Sequence, residues 1–138
     1  MKYRLLAIAI PLVLLFGCII AEISVTCLQC ICNVESGCNQ KENCNTNGGY
    51  EACGAFHIYE AYWIDCGKPG LNFKNCTLDY TCSKDCVTNY MKRYGGITCP
   101  NTCEDYARMH NGGPYGCQNN ATDTYWARMR SVNCTSSS

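Results

Sequence analysis

The chain has 138 residues, 15 of them Cys, and its 11 basic and 11 acidic residues cancel. That length fits one domain and excludes two full cores. The balanced charge, with no basic stripe, excludes a nucleic-acid footprint and gives no strong pull toward an anionic surface.

At the N-terminus, Lys2 and Arg4 precede an apolar run from Leu5 to Ala21, broken only by Pro11 and Gly17. This is the pattern of a secretory signal peptide, and it falls short of the roughly 20 residues a spanning helix needs. Residues 1–21 are expected to be removed, with the cut between Cys18 and Ser24. Residues 22–138 then form one secreted domain, free of the membrane; an uncleaved anchor is the alternative. Removal leaves a net charge of −2 and 14 Cys: Cys27, Cys30, Cys32, Cys38, Cys44, Cys53, Cys66, Cys76, Cys82, Cys86, Cys99, Cys103, Cys117 and Cys134. An even set in a short exported chain reads as a framework of up to seven disulfides. Zinc is the rival, because Cys27-x-x-Cys30 and Cys99-x3-Cys103 have ligand-like spacing. Thiolate sites belong mainly to reducing compartments, so no metal and no cofactor is expected. Three glycosylation sequons, at Asn75, Asn120 and Asn133, suit a secreted protein.

Four segments have helical texture. The first spans about Thr26 to Ser36, with Cys27, Cys30, Ile31 and Val34 at helical spacing and Gly37 as the stop. Asn47-Gly48 then signals a type I′ hairpin turn, and Cys53 to Ile58 reads as a strand. The second helix covers about Leu78 to Tyr94, with Cys82, Cys86, Tyr90 and Met91 on one face and Lys92 and Arg93 suiting the C-terminal dipole. The third starts near Thr102, an N-cap with Asp105 three residues on, and stops at Asn111-Gly112-Gly113-Pro114. The last covers about Asp123 to Val132 and turns Tyr125, Trp126 and Met129 inward. The expected fold is a small α+β domain, helices around a short hairpin sheet, with disulfides supporting a modest core.

Glu35 closes the first helix ahead of Ser36-Gly37-Cys38. A carboxylic acid held against apolar walls has a raised pKa and can donate a proton near neutral pH, as glycoside hydrolysis requires. On spacing alone, a solvated helix-end residue is the competing reading.

Five blocks, in order, add to this. Cys27-Leu-Gln-Cys-Ile-Cys-Asn-Val-Glu-Ser-Gly-Cys38 resembles the opening signature of the invertebrate-type lysozymes, the family that includes the destabilases. The resemblance continues through Cys53-Gly-Ala-Phe-His-Ile-Tyr59, Ala61-Tyr-Trp-Ile-Asp-Cys-Gly-Lys-Pro-Gly70, Cys86-Val-Thr-Asn-Tyr-Met-Lys-Arg-Tyr94 and Tyr106-Ala-Arg-Met-His-Asn-Gly-Gly-Pro114. It implies a lysozyme-like α+β fold, cleavage of the β-1,4 linkage of bacterial peptidoglycan, and in some members isopeptide cleavage. It implies Glu35 as general acid and an Asp twelve residues later, where this chain has Asn47.

An amide is neither nucleophile nor countercharge for an oxocarbenium-like transition state, and losing one such group typically costs on the order of 10²–10³ in rate. Three routes remain: Glu42 or Glu51 reaching the cleft, the sugar's own N-acetyl group as nucleophile with Asn47 orienting it, or deamidation of Asn47-Gly48 to Asp. The serines that the resemblance ties to isopeptide cleavage are absent, the stretch before Cys53 being Tyr50-Glu51-Ala52. The family's lysine aligns with Tyr59, and His110 has no serine to activate. His57 stands where relatives carry Gln and is a candidate sugar contact. Tyr62 and Trp63 are a candidate aromatic platform or core, and His110 a candidate contact or a helix-end residue. The function expected is a secreted lysozyme-like hydrolase, its partner peptidoglycan or another N-acetylated glycan. A non-catalytic glycan-binding protein is the alternative, and a structural or inhibitory module on the same scaffold a third reading.

Overall fold

The computed structural model describes residues 22–137, so the expected signal peptide lies outside the described residues. Helix α1 (Val25–Ser36) opens at Ser24, whose hydroxyl accepts from the Cys27 N–H at 3.0 Å. It closes at Gly37, in the left-handed region at φ 66°, where the Gly37 and Cys38 N–H groups return to Asn33 and Cys32. The Gly37-to-Asn33 bond from a left-handed residue is an αL-type end, which glycine adopts without a Cβ penalty.

A three-stranded antiparallel sheet follows: β1 (Cys44–Asn47), β2 (Tyr50–Cys53) and β3 (Ile58–Tyr59), in the order β1-β2-β3. Two details correct the sequence reading. The hairpin turn is Gly48-Gly49, one residue later than expected, with Asn47 paired to Tyr50. A type I′ turn needs positive φ at both central residues, and the glycines supply it at 60° and 88°. Nor do residues 53–58 form one strand. The chain leaves β2 at Cys53, turns through Gly54 at φ 71° and His57 at φ 46°, and re-enters the sheet at Ile58. The break has a tertiary cause. Gly54 packs so closely on the Thr77 carbonyl that a Cβ would lie 1.7 Å from its oxygen.

Helices α2 (Glu60–Asp65) and α3 (Phe73–Leu78) were not anticipated; each is only six residues long, too short for a periodic signal. Helix α4 (Tyr80–Tyr94) starts two residues later than expected, because Asp79 caps it by accepting from the Cys82 N–H at 2.7 Å and so divides it from α3. Helix α5 (Cys103–Gly112) has the anticipated N-cap: the Thr102 hydroxyl accepts from the Asp105 N–H, and the Asp105 carboxylate accepts from the Thr102 N–H. Helix α6 (Asp123–Ser131) buries Tyr125, Trp126 and Met129 as the pattern required.

One core joins these elements. Ile31, Phe56, Ile58, Val87, Met91, Met109 and Met129 are each 1 % exposed or less. Seven disulfides pair all 14 Cys of the described residues: Cys27–Cys103, Cys30–Cys134, Cys32–Cys38, Cys44–Cys53, Cys66–Cys86, Cys76–Cys82 and Cys99–Cys117. Cys27–Cys103 and Cys30–Cys134 clamp the first half of α1 to α5 and to the C-terminal segment, while Cys32–Cys38 ties its second half to the residue just past the Gly37 cap, beside Glu35. The architecture is the small disulfide-rich α+β domain expected.

Candidate active site

Glu35 stands on the last turn of α1, next to the Gly37 cap. The neighbouring Ser36 hydroxyl donates to the Ala55 carbonyl at 2.8 Å, tying the helix end to the 54–57 turn. Within that turn the His57 N–H returns to the Gly54 carbonyl at 3.0 Å. The closed turn holds His57 in a left-handed conformation that a side-chain-bearing residue reaches at a cost of roughly 1–2 kcal/mol. The result is a direct contact, His57 Nδ1 to Glu35 Oε2 at 3.1 Å.

On the other side of the acid is His110, in the last turn of α5, with Nε2 3.5 Å from Glu35 Oε1. Its ring is nearly enclosed and both nitrogens are engaged, Nε2 with the Phe56 carbonyl at 3.0 Å and Nδ1 with the Tyr62 hydroxyl at 3.2 Å. These partners define a neutral tautomer, Nε2–H donating and Nδ1 accepting. Burial accordingly holds His110 below its ordinary pKa, against the pull of Glu35. It is a wall of the site that pins α5 to the turn and to α2. Tyr62 is buried, stacked on Tyr90 with ring centroids 3.8 Å apart. The Tyr125 hydroxyl, also buried, lies close enough to act on the Glu35 carboxyl without completing a hydrogen bond.

Burial pushes the Glu35 carboxyl up, but the His57 hydrogen bond, the facing His110 and the Tyr125 hydroxyl outweigh it and leave it below its ordinary value. This differs from the raised acid that burial alone would give. His57 moves the opposite way, raised by the Glu35 hydrogen bond against its own burial and the Arg128 charge.

Glu35, His57, Tyr62 and His110 line one open cleft of about 400 Å³, with Asn45, Ala52, Tyr59, Asn111 and Gly113. The sheet explains the second wall. Asn45, Ala52 and Tyr59 are directly opposite one another across the three strands, so all three side chains share a face. Asn47 ends β1, paired along the backbone with Tyr50. Of the two glutamates considered as substitutes for the missing Asp, Glu42 faces His57 Nε2 at 3.9 Å. Glu51 is one residue out of phase with Ala52 and pairs with Lys74 at 2.9 Å, beside a different groove. Trp63 is not brought to the cleft: its indole N–H donates to the Pro69 carbonyl at 2.9 Å and its ring packs near Phe73. The three sequon asparagines, Asn75, Asn120 and Asn133, are exposed. Sequence reasoning missed Asn45, the part played by Tyr125, and the pairing of His57 with Glu35. The period-2 alternation of β1 was the available signal for Asn45; the pairing had none, because it depends on the turn.

A family profile described as Destabilase matches residues 24–132. The chain is 50 % identical to a lysozyme of Magallana gigas over 132 residues, covering 95 % of this chain and 96 % of that one. It is 46 % identical to an invertebrate-type lysozyme of Ruditapes philippinarum, over 80 % of this chain and 82 % of the relative. Among solved structures it is similar to that of Aeromonas hydrophila PliI in complex with Meretrix lusoria lysozyme, with a TM-score of 0.77, 49 % identity, and coverage of 80 % and 90 % of the two chains. The Tapes japonica lysozyme structure matches with a TM-score of 0.76 and 46 % identity over 79 % and 89 %. With the profile spanning nearly all of the described residues and relatives this similar along most of their length, the chain belongs to the invertebrate-type lysozyme, or destabilase, family.

Proposed function

We propose that this chain is a secreted glycoside hydrolase that cleaves the β-1,4 bonds of bacterial peptidoglycan, in defence or digestion, with Glu35 as general acid. The observation that carries this reading is one largely buried carboxylate, 14 % exposed, opening on a cleft whose far wall is a strand face bearing Asn45 and Tyr59. Seven disulfides support an oxidising, extracellular setting.

The first step protonates the glycosidic oxygen from Glu35 as the bond to C1 breaks. Position 47 offers an amide where a carboxylate would trap the developing cation. The acetamido oxygen of the same N-acetylated sugar bonds to C1 instead, giving a cyclic oxazolinium. Water then opens that ring and passes a proton to Glu35, which restores the acid. Because its neighbours hold Glu35 ionised, cleavage is strongest under acidic conditions. Asn47 favours one second reading, a protein that grips N-acetylated glycans without cutting them.

Turbidity clearing of peptidoglycan-rich cells, run beside Glu35→Gln and Asn47→Asp across acidic and neutral pH, separates the two. Hydrolysis predicts clearing by the native chain and a loss on the order of 10² or more in Glu35→Gln. No clearing by the native chain, with activity only in Asn47→Asp, replaces hydrolysis by binding.

A further inference from the structure

His57 faces a carboxylate from each of its ring nitrogens, one in hydrogen-bond contact and one at ion-pair distance. Nδ1 meets Glu35 Oε2 at 3.1 Å. Nε2 is enclosed, forms no hydrogen bond, and faces Glu42 Oε1 at 3.9 Å. Glu42 is itself held in place: the Asn39 side-chain amide donates to Oε2 and the Asn45 amide to Oε1, each at 2.9 Å. An imidazolium donates from both nitrogens, whereas a neutral ring has one donor and one acceptor. A ring with carboxylates at both ends therefore suits the charged form, and an enclosed Nε2–H with no anion before it would be costly to keep.

We propose that Glu35, His57 and Glu42 form one proton-holding unit, in which Glu42 fixes the imidazole, His57 positions the general acid and keeps its proton, and glycan cleavage is thereby confined to acidic conditions. This rests on the hydrolase reading above for its consequence, though not for its existence.

The surroundings admit few competing charges. From α1 the group facing His57 is Glu35, and from the loop before β1 it is Glu42. From α5 it is His110, engaged through both nitrogens and kept neutral by burial. From α6 come the Tyr125 hydroxyl and Arg128; the Arg128 charge works against a charged ring but is occupied in donating to the Val34 carbonyl at 2.7 Å. From α2, Tyr62 is spent on His110. Only the two carboxylates favour the imidazolium, and they bracket it. With the ring charged, Glu35 stays a carboxylate until the medium is acid enough to protonate it beside that cation. Replacing the ring by a neutral amide leaves burial as the larger influence and releases the acid to work at higher pH.

The test uses the mature, fully oxidised chain with its Glu side chains carbon-labelled at the carboxyl, titrated by NMR as native protein, His57→Gln and Glu42→Gln. Gln preserves a hydrogen-bond donor toward Glu35, so a purely structural role for His57 would leave the Glu35 titration in place. The unit predicts that Glu35 titrates at higher pH in His57→Gln, and that the His57 ring titrates at lower pH in Glu42→Gln. In clearing assays the rate at about pH 7.5 relative to about pH 5 should rise about 10-fold in His57→Gln, the low end of what removing an adjacent opposite charge does. An unmoved Glu35 carboxyl in His57→Gln, or clearing profiles that superimpose, overturns the proposal. If neither chain clears cells at any pH, the hydrolase reading and the acidic confinement of cleavage fall together, while the carboxyl titration still decides whether the three groups act as one unit.

Discussion

Gly54→Ala links the stability of the fold to the geometry of the site. Gly54 sits at φ 71°, and an added Cβ would lie 1.7 Å from the Thr77 oxygen and 2.7 Å from its carbonyl carbon. The left-handed conformation costs an alanine about 1–2 kcal/mol. Relieving the overlap requires the 54–57 turn and α3 to separate by more than about 1 Å, and such overpacking adds about 1–3 kcal/mol. The total is about 2–5 kcal/mol, or roughly 8–20 °C in Tm for a domain of this size. The same shift takes His57 with it, since its N–H is bonded to Gly54, and lengthens the 3.1 Å contact with Glu35. Gly37→Ala is the control. Gly37 has a similar φ of 66° but nothing within 4 Å of a Cβ, so it loses only the conformational part, about 1–2 kcal/mol. The assay is thermal and denaturant unfolding of the oxidised chains, with the imidazole signals of His57 as the local probe. Equal losses in the two variants, or an unmoved His57 signal in Gly54→Ala, would refute the close-approach argument.

Joint replacement of Cys30 and Cys134 by Ala, which opens a loop 104 residues apart in sequence, should cost about 2–5 kcal/mol in denaturant unfolding; a smaller loss would mean that packing of α1 on α6 already restrains the open chain. Tyr59→Ala removes a half-exposed ring from the cleft wall and should weaken binding of N-acetylated oligosaccharides by about 3–10-fold, read by calorimetry, with little change in Tm. The pH dependence of stability has a definite sign. His57 is raised in the folded chain, so its contribution is fully present below its unfolded value of about 6.5 and is lost as pH rises through the folded value. Glu35 is depressed, so its contribution is present above its unfolded value and is lost as pH falls through the folded one. The Tm advantage of the native chain over His57→Gln should therefore be largest in the mildly acidic interval between these limits and shrink above it; an advantage that grows with rising pH would contradict the pairing.

Local chemistry made much of this molecule legible. The Thr102 cap, the Gly37 stop and the helical spacing of Tyr125, Trp126 and Met129 are short-range signals, and each marks an element that the fold contains. The even cysteine count pointed to seven bridges, but their pairing needs topology: partners lie from 6 to 104 residues apart. What was hidden depended on tertiary contact. Nothing local distinguishes Cys53–Ile58 from a strand until Gly54 meets Thr77 and Ser36 bonds Ala55. The same turn brings His57 to Glu35, and therefore decides which way the acid is shifted. Tyr62 and Trp63, adjacent in sequence, part company for a comparable reason. The short helix α2 points one into the Tyr90 stack at the cleft and the other toward Pro69 and Phe73.

The charge balance of the cleft bears on the second step of the proposed reaction. When Glu35 is neutral and ready to donate, the charged group in contact with it is the His57 imidazolium, with the Glu42 carboxylate on the far side of the ring. A bare oxocarbenium-like centre in this cleft would develop its positive charge near a cation, and the residue at position 47 supplies no compensating anion. Preorganised charge complementarity is usually the largest contribution an enzyme makes, and here it would be adverse. An acetamido group that bonds to C1 relieves the difficulty from within the substrate, because the oxazolinium spreads the charge over the amide nitrogen and oxygen. As Glu35 gives up its proton it becomes the carboxylate that pairs with His57, so the imidazolium stabilises the product of proton transfer instead of opposing it. Asn47 and His57 are thus compatible with the same route: one removes the protein's own trap for the cation, and the other favours the ionised acid that proton donation leaves behind.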